Sequence, residues 1–390
     1  MFRSFFIAGF ESATGLNQRL QWIDQISATE HDRRIDRDYA MISKIGIHVA
    51  RDGVRWPLVD TGRKYNFSSL DLLLSASEKH GVEPIYDLFH YGYPRDLDIF
   101  SSGFIERFSS YCHAVAERIK FFTDPPHYFT PVNEPSYFAW AAGDAGRFAP
   151  HTFGRSFELK IQLARAAIAG IDAIRSVLPR ARMVNADPLC RVAIPRNRPD
   201  LSEEVRHFNE NVVFESWDML SGRLFPELGG SPSHLDVVGI NYYWTNQWEH
   251  SAPEIPLAPE DERKWPLQDL IRWVWHRYRQ PMVLTETAHV GKNRGPWIRQ
   301  ATFEVEEILN EGIPLKGLCL YPILGMPEWH DQSSWARMGL WDLVQTQRGL
   351  ARVPHRSSHR ALRDAQHRLE GLGFDPTGIP RTLASDRRLL

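Results

Sequence analysis

The chain has 390 residues, 43% of them hydrophobic and 24% charged, with a net charge of −2. That composition excludes a disordered or low-complexity chain and supplies a core for one large domain or two. The balanced charge leaves no footprint for nucleic acid, and no apolar run is long enough to span a membrane. Cys112, Cys190 and Cys319 are an odd set without metal-ligand spacing. This is the usage of a reducing compartment, so a cytoplasmic location without metal or cofactor is expected. Nothing in the sequence speaks to oligomeric state.

The N-terminal run MFRSFFIAGFESA carries one Arg and too short an apolar stretch for a signal-peptide core, and is expected to contain the first strand. Strands are predicted over 5–10, 47–51, 84–89, 128–133, 182–186, 237–243, 282–286 and 317–321. Helices are predicted over 36–44, 67–79, 104–120 and 157–177, before the second to fifth strands, and over 267–277 and 298–310, on either side of the seventh. Strict alternation implies parallel strands joined by right-handed crossovers. Eight such units in about 320 residues favour a single (β/α)8 barrel over an open doubly wound sheet. Gly9, Gly15 and Gly53 lack the spacing of a dinucleotide-binding turn.

The barrel is expected over 1–344. Residues 345–390 hold nine Arg against four Asp or Glu and read as a closing helix over 357–369 followed by a basic tail. Leu362, Ala365 and Leu369 would dock on the barrel and the Arg side chains would stay solvated; a tail for an acidic partner is the second reading. His355 and His359 have i,i+4 spacing, but no carboxylate or cysteine completes a metal set.

Two glutamates carry the chemistry. Glu134 ends the run HYFTPVNEP and Glu286 lies in PMVLTETA, each closing a short apolar stretch ahead of a break. A carboxylate at the tip of a buried strand is costly to desolvate. Either each pairs with a neighbouring Arg, or the two face one pocket, which is the equipment of glycoside hydrolysis. In a (β/α)8 barrel the C-terminal strand ends face the active site. Arg51, His90, Asn133, Asn241, Tyr243, Glu328 and Trp329 fall in that layer, and period-two alternation puts Asn241 and Tyr243 on one face with Tyr242 turned into the helix layer. Trp56, Trp140, Trp244, Trp248, Trp329, Trp335 and Trp341 sit near strand ends or in loops, as sugar-stacking platforms or as core filling.

The run TPVNEP, with Ala139-Trp140 and then G-x-F-A-P-H at 146–151, resembles the acid/base segment of family 1 glycoside hydrolases, and VLTETA resembles their nucleophile segment. Residues 31–57 are similar to that family's second-strand region, DVVGINYY at 236–243 to its sixth strand, and 317–329 with 339–342 to its eighth strand and glycone-binding Glu-Trp. The resemblance runs from about Phe6 to Val344. It implies Glu134 as general acid/base and Glu286 as nucleophile. Arg51 and Tyr243 are then the pair that holds the nucleophile ionised, a role in which Glu134 lacks a cationic partner. It also implies that Asn133 contacts the sugar 2-hydroxyl, His90 binds a glycone hydroxyl, and Glu328 with Trp329 clamps the far end of the glycone.

Departures from the family pattern cluster at the glycone. The usual glycone-binding Gln falls near Leu16, with Asn17 and Gln18 beside it. Glu11 stands where a small residue is usual, as a site-facing or a salt-bridged carboxylate. His90 is followed by Tyr91-Gly92-Tyr93 instead of Trp-Asp, and Tyr321-Pro322 replaces an aromatic-Ser pair. No Lys-x-Tyr set for a sugar phosphate follows the eighth strand, although Arg337 could serve an anion. The reading is a retaining β-glycosidase acting on a carbohydrate. The alternatives are a transglycosidase or polysaccharide-processing enzyme with the same two-step chemistry, and a catalytically retired carbohydrate-binding barrel.

Overall fold

The computed structural model describes residues 2–123, 127–252 and 255–371. Its centre is a closed barrel of parallel strands. These are β1 (Phe6–Gly9), β2 (Val49–Gly53), β3 (Glu83–Asp87), β4 (Tyr128–Thr130), β5 (Arg182–Pro188), β6 (Val237–Asn241), β7 (Met282–Thr287) and β8 (Leu315–Leu320). The order is sequential, and β1 closes the barrel by pairing with β8, Ile7 opposite Cys319. All eight predicted strands are present, with ends shifted by a few residues. The fourth stops at Thr130, earlier than expected, because Pro131 has no N–H to continue the ladder.

Around the barrel lie α1 (His31–Ser43), α2 (Ser68–His80), α3 (Ser102–Phe122), α4 (Pro135–Gly143), α5 (Ser156–Val177), α6 (Ser202–Glu210), α7 (Glu215–Leu220), α8 (Leu267–Tyr278), α9 (Arg294–Asn310) and α10 (Arg356–Gly371). The short helices α6 and α7 between the fifth and sixth strands were not expected from the sequence. Among the described residues, no helix is long and apolar enough to cross a membrane.

Alternation divides the strands into two faces. Ile7, Val49, Ile85, Tyr128, Val184, Val237, Val283 and Cys319, one from each strand, fill the interior as one buried cluster with Phe2 and Tyr321. This layer plugs the barrel below the polar residues. Two positions further along β2 and β3 come Arg51 and Asp87, on the same face and one layer nearer the C-terminal mouth. The opposite face, including Phe6, Tyr86, Phe129, Met183, Ile240 and Leu284, joins the larger core shared with the helices. Tyr242 follows the expected outward phase and stacks on Trp297 of α9, with ring centroids 6.1 Å apart. Gly9 has the room its neighbour needs: a Cβ there would lie 2.0 Å from the Tyr321 ring.

The C-terminal region is continuous with this core. An antiparallel hairpin, Trp341–Thr346 with Gly349–Pro354, leads into α10, so residue 344 lies within a strand. Leu362, Ala365 and Leu369 are buried in the main cluster. Residues 372–390, which carry the rest of the basic tail, lie outside the described residues. Arg352 departs from the expectation of solvated arginines. It is buried and grips Asp38 through two nitrogens, each at 2.8 Å. His355 bonds Ser358 at 2.8 Å at the start of α10, and His359 packs edge-on against Trp341.

Arg352 belongs to a buried charge network beneath β2. His31 bridges Asp38 and Asp52, each at 2.9 Å, and Tyr39 donates to Asp52 at 2.9 Å. Burial opposes a charged His31, but Asp52 and Asp38 overcome it and raise its pKa to about 9. The network thus fastens the hairpin and α1 to the back of the strand that carries Arg51. Because the folded-state pKa lies above the unfolded value, this stabilisation is complete below about pH 6.5 and is lost as pH rises through about 9. His31→Leu is expected to cost about 3–5 kcal/mol, by leaving two buried carboxylates short of a partner. Denaturant melts of the parent protein should show stability falling between neutral pH and pH 9, and the variant should show a flatter profile; equal slopes would reject a charged His31.

Candidate active site

Arg51 is 1% exposed. One terminal nitrogen donates to Glu286 Oε1 at 2.6 Å, and the other donates to Asp87 Oδ2 at 2.7 Å and to Asn133 Oδ1. The Tyr243 hydroxyl donates to the other Glu286 oxygen at 2.8 Å. Glu286 therefore has a donor on each oxygen, from β2 and from the end of β6, although it is itself only 4% exposed. Its inward aim depends on an irregularity. Simple alternation from Val283 would turn residue 286 outward, but the β7 register slips between Leu284 and Glu286. Thr287 takes the outward position instead, where it accepts the Trp297 indole N–H at 2.8 Å. Such bulges re-aim side chains beside active sites.

Glu134 is set differently. Asn241, which faces Glu286 across the β6–β7 ladder, donates to Glu134 Oε1 at 2.9 Å, and the Tyr91 hydroxyl donates to Oε2. Thr285 donates to Asn241 Oδ1 at 2.6 Å, which fixes the amide with its NH2 toward Glu134. No guanidinium or ammonium contacts Glu134 among the described residues. Burial, followed by the nearby Glu286 charge, pushes its carboxyl well above the usual carboxylate range, against the lowering effect of Tyr91 and Asn241. Both Glu134 (φ 48°) and Tyr91 (φ 70°) occupy the left-handed region. Each such placement costs about 1–3 kcal/mol and persists only where the surroundings impose it. For Glu134 the surroundings are Pro135 at the first position of α4, and Asp187 accepting the Ser136 N–H at 3.1 Å.

The other expected residues fall into two groups. Asn133 and His90 join the Arg51 network. His90 Nδ1 donates to Asp87 at 2.9 Å. Burial opposes its charge, but Asp87, with help from Glu11, outweighs it and raises its pKa. The Asn133 oxygen is already taken by Arg51, so its NH2 faces His90 Nε2 at 3.2 Å. Glu11 comes to 3.7 Å from the same nitrogen. The Tyr321 ring lies 5.1 Å from the Arg51 guanidinium and parallel to His90, and its hydroxyl accepts the Ser12 N–H. Trp329 packs on Tyr91, Tyr137 and Phe148, and its buried indole N–H has no acceptor among the described residues.

Glu328 lies further out, exposed, with its backbone N–H bonded to Ser334. Arg337 is also exposed. Asn17 is fully buried and holds the Trp329 carbonyl at 2.9 Å, while Gln18 points to solvent. Trp56 is core, packed among Phe104, Phe108 and Tyr111. Trp244 stacks on His289 at 4.2 Å. These two rings wall a cavity of about 580 Å³ that also borders Trp265, Trp297 and Glu304.

Three contributors went unrecognised in the sequence as site residues. Asp87 was legible in principle, because it shares the inward phase of Ile85. Tyr91 registered only as a departure from the family pattern, and Thr285 gave no signal.

The glycosyl hydrolase family 1 model matches residues 14–218, just over half of the chain. The chain belongs to glycosyl hydrolase family 1. An aryl-phospho-beta-D-glucosidase of Bacillus subtilis is 31% identical over 124 residues, 28% of this chain and 24% of that protein. A coniferin beta-glucosidase of Pinus contorta is 23% identical over 286 residues, 60% of this chain and 53% of that protein. The matched regions thus span between about a quarter and about half of these relatives' lengths. A beta-glucosidase of Thermotoga maritima, solved with castanospermine, superposes with a TM-score of 0.72 at 16% identity, over 92% of this chain and 96% of that one. The chain is thus a family 1 member folded as a (β/α)8 barrel, similar in structure to a beta-glucosidase.

Tyr91 supplies a test of the electrostatics. Its hydroxyl favours the ionised form of Glu134, so Tyr91→Phe is expected to move the Glu134 titration to higher pH, read by carboxyl 13C NMR. A downward shift or none would mean that the bond does not set this proton.

Proposed function

We propose that this glycoside hydrolase cleaves β-linked glycosides with net retention, through a covalent glycosyl-enzyme intermediate. The observation that carries the reading is the unequal environment of the two glutamates. Glu286 is gripped on both oxygens by Arg51 and Tyr243. Its free lone pairs are the nucleophile that attacks the anomeric carbon. Glu134 is buried without a cation and held above the usual carboxylate range. It can therefore keep a proton for the leaving oxygen and, once that proton has been given up, take one from the water that releases the sugar.

The glycone is proposed to be unphosphorylated, unlike the substrate named for the Bacillus relative. The chain lacks the Lys-x-Tyr set after the eighth strand, and Glu11 places a further carboxylate in the mouth. A second reading, transfer of the sugar to an acceptor other than water, is favoured by one relative. A Delphinium grandiflorum cyanidin 3-O-glucoside 7-O-glucosyltransferase (acyl-glucose) is 25% identical over 138 residues. The three free cysteines support a reducing compartment, with the cytoplasm as the proposed location.

Glu286→Gly should lower turnover of an aryl β-glycoside by roughly four orders of magnitude or more, with partial recovery in azide, which attacks the anomeric carbon in place of the missing carboxylate, expels the phenol and leaves the α-glycosyl azide. A 2-deoxy-2-fluoro glycoside should label Glu286, as seen in a peptide mass map. Inverted product in the parent enzyme, or a label elsewhere, would overturn the two-step reading. Product analysis with added alcohols separates hydrolysis from transfer.

A further inference from the structure

The proposed displacement gives Glu11 no task. This side chain stands two residues beyond β1 and is 6% exposed. Oε1 accepts the Ala13 N–H at 2.8 Å and lies 3.7 Å from His90 Nε2, and Oε2 accepts no hydrogen bond among the described residues. A purely structural carboxylate buried this far is normally paired or fully bonded. Its one bond, to an N–H two residues on, is a turn that Asn or Ser would also make.

The neighbouring cationic groups, His90 at 3.7 Å among them, are divided among several acceptors. Arg51 divides its terminal nitrogens among Glu286, Asp87 and Asn133. His90 gives Nδ1–H to Asp87 and faces the Asn133 amide with Nε2. The mouth thus gathers four carboxyl groups, from Glu11, Asp87, Glu134 and Glu286, around one guanidinium and one imidazole. Tyr321 and Tyr91 contribute hydroxyls but no charge. Burial raises the Glu11 carboxyl, a penalty that a neighbouring cation would relieve. A phosphate or carboxylate on the sugar would meet repulsion. A sugar hydroxyl could donate to Oε2 without balancing the charge, whereas an ammonium does both.

We propose that Glu11 is a specificity residue that receives a protonated amino group of the glycone, so that the preferred substrate is a β-linked amino sugar. This rests on the glycosidase reading and deepens it by naming the sugar class. The test is the ratio of kcat/KM for aryl β-glycosides of 2-, 3-, 4- and 6-amino-deoxyglucose to that for the neutral aryl β-glucoside. It is measured on one preparation at a pH where the sugar amine is charged, so that the fraction of active enzyme cancels.

The parent enzyme should favour at least one amino isomer by about tenfold or more, the worth of one charge-assisted hydrogen bond. Glu11→Gln keeps the shape and the Ala13 bond, and should erase that preference whatever its absolute rate. Cleavage of the neutral glucoside with no amino isomer preferred overturns this proposal alone. So does a preference that survives Glu11→Gln. Failure to cleave any glycoside, with no fluoroglycoside adduct on Glu286, overturns the glycosidase reading and this one with it.

Discussion

The Arg51 guanidinium sits inside the barrel with almost no access to solvent, and three chain segments come together to meet it. Glu286 arrives on β7, Asp87 on β3, and Asn133 on the loop after β4. Removing such a charge from water costs several kcal/mol, and only close opposite charge with well-formed hydrogen bonds offsets it. The ends of these elements are therefore tied to one another electrostatically. A shift of any one would leave Arg51 or a carboxylate buried and unpaired. The layer of one apolar residue from each strand below it excludes water from the barrel interior and holds the strands in register. On the outer side of β2, the His31–Asp38–Asp52 network anchors the same strand to α1 and the C-terminal hairpin.

From that fixed point the asymmetry of the two glutamates follows. Glu286 shares the guanidinium, and a bulge in β7 brings it round to do so. Glu134 is one residue beyond Asn133 yet faces away from the cation, toward Asn241 and Tyr91. It keeps burial without compensation, and its left-handed backbone is held by Pro135, α4 and Asp187. The strain at Glu134 and Tyr91 is small beside what the surrounding barrel buries, so the fold tolerates it in holding the Glu134 carboxyl against the Tyr91 hydroxyl.

The family match ends at residue 218 and so includes Glu134, Arg51 and His90 but not Glu286 or Tyr243. The second half of the site stands on geometry: two donors on Glu286, and Asn241 spanning from beside Glu286 to Glu134. The same geometry places the residues at which the sequence departs from the family pattern. Asn17 is a buried brace for the Trp329 loop, Tyr91 bonds Glu134 directly, and Tyr321 covers Arg51 where it also stacks beside His90.

What could be read from the sequence was what depends on local pattern. Strand and helix alternation, the inward phase of Arg51, Asn241 and Tyr243, the outward phase of Tyr242, and the two glutamate segments all follow from short-range periodicity and residue type. These sufficed for the barrel and for singling out the two glutamates that the structure brings to one pocket. Boundaries were less legible, because the apolar pattern runs on past Pro131, whose missing N–H ends the ladder, and does not mark the hairpin that pairs Val344 with Ala351. The contribution of Tyr91, Thr285 and Asp87 could not be read as a set, since each acts on a side chain from another strand. The inward aim of Glu286 is the clearest case. Its identity marks it as a candidate nucleophile, but period-two alternation would turn it away from the pocket. Only the register slip between β6 and β7, a property of the closed barrel, turns it back. Sequence determined which groups were available; tertiary structure decided which are desolvated, which are paired with a charge and which are left facing the substrate. Burial and charge pairing are set by neighbours that chain order does not bring together.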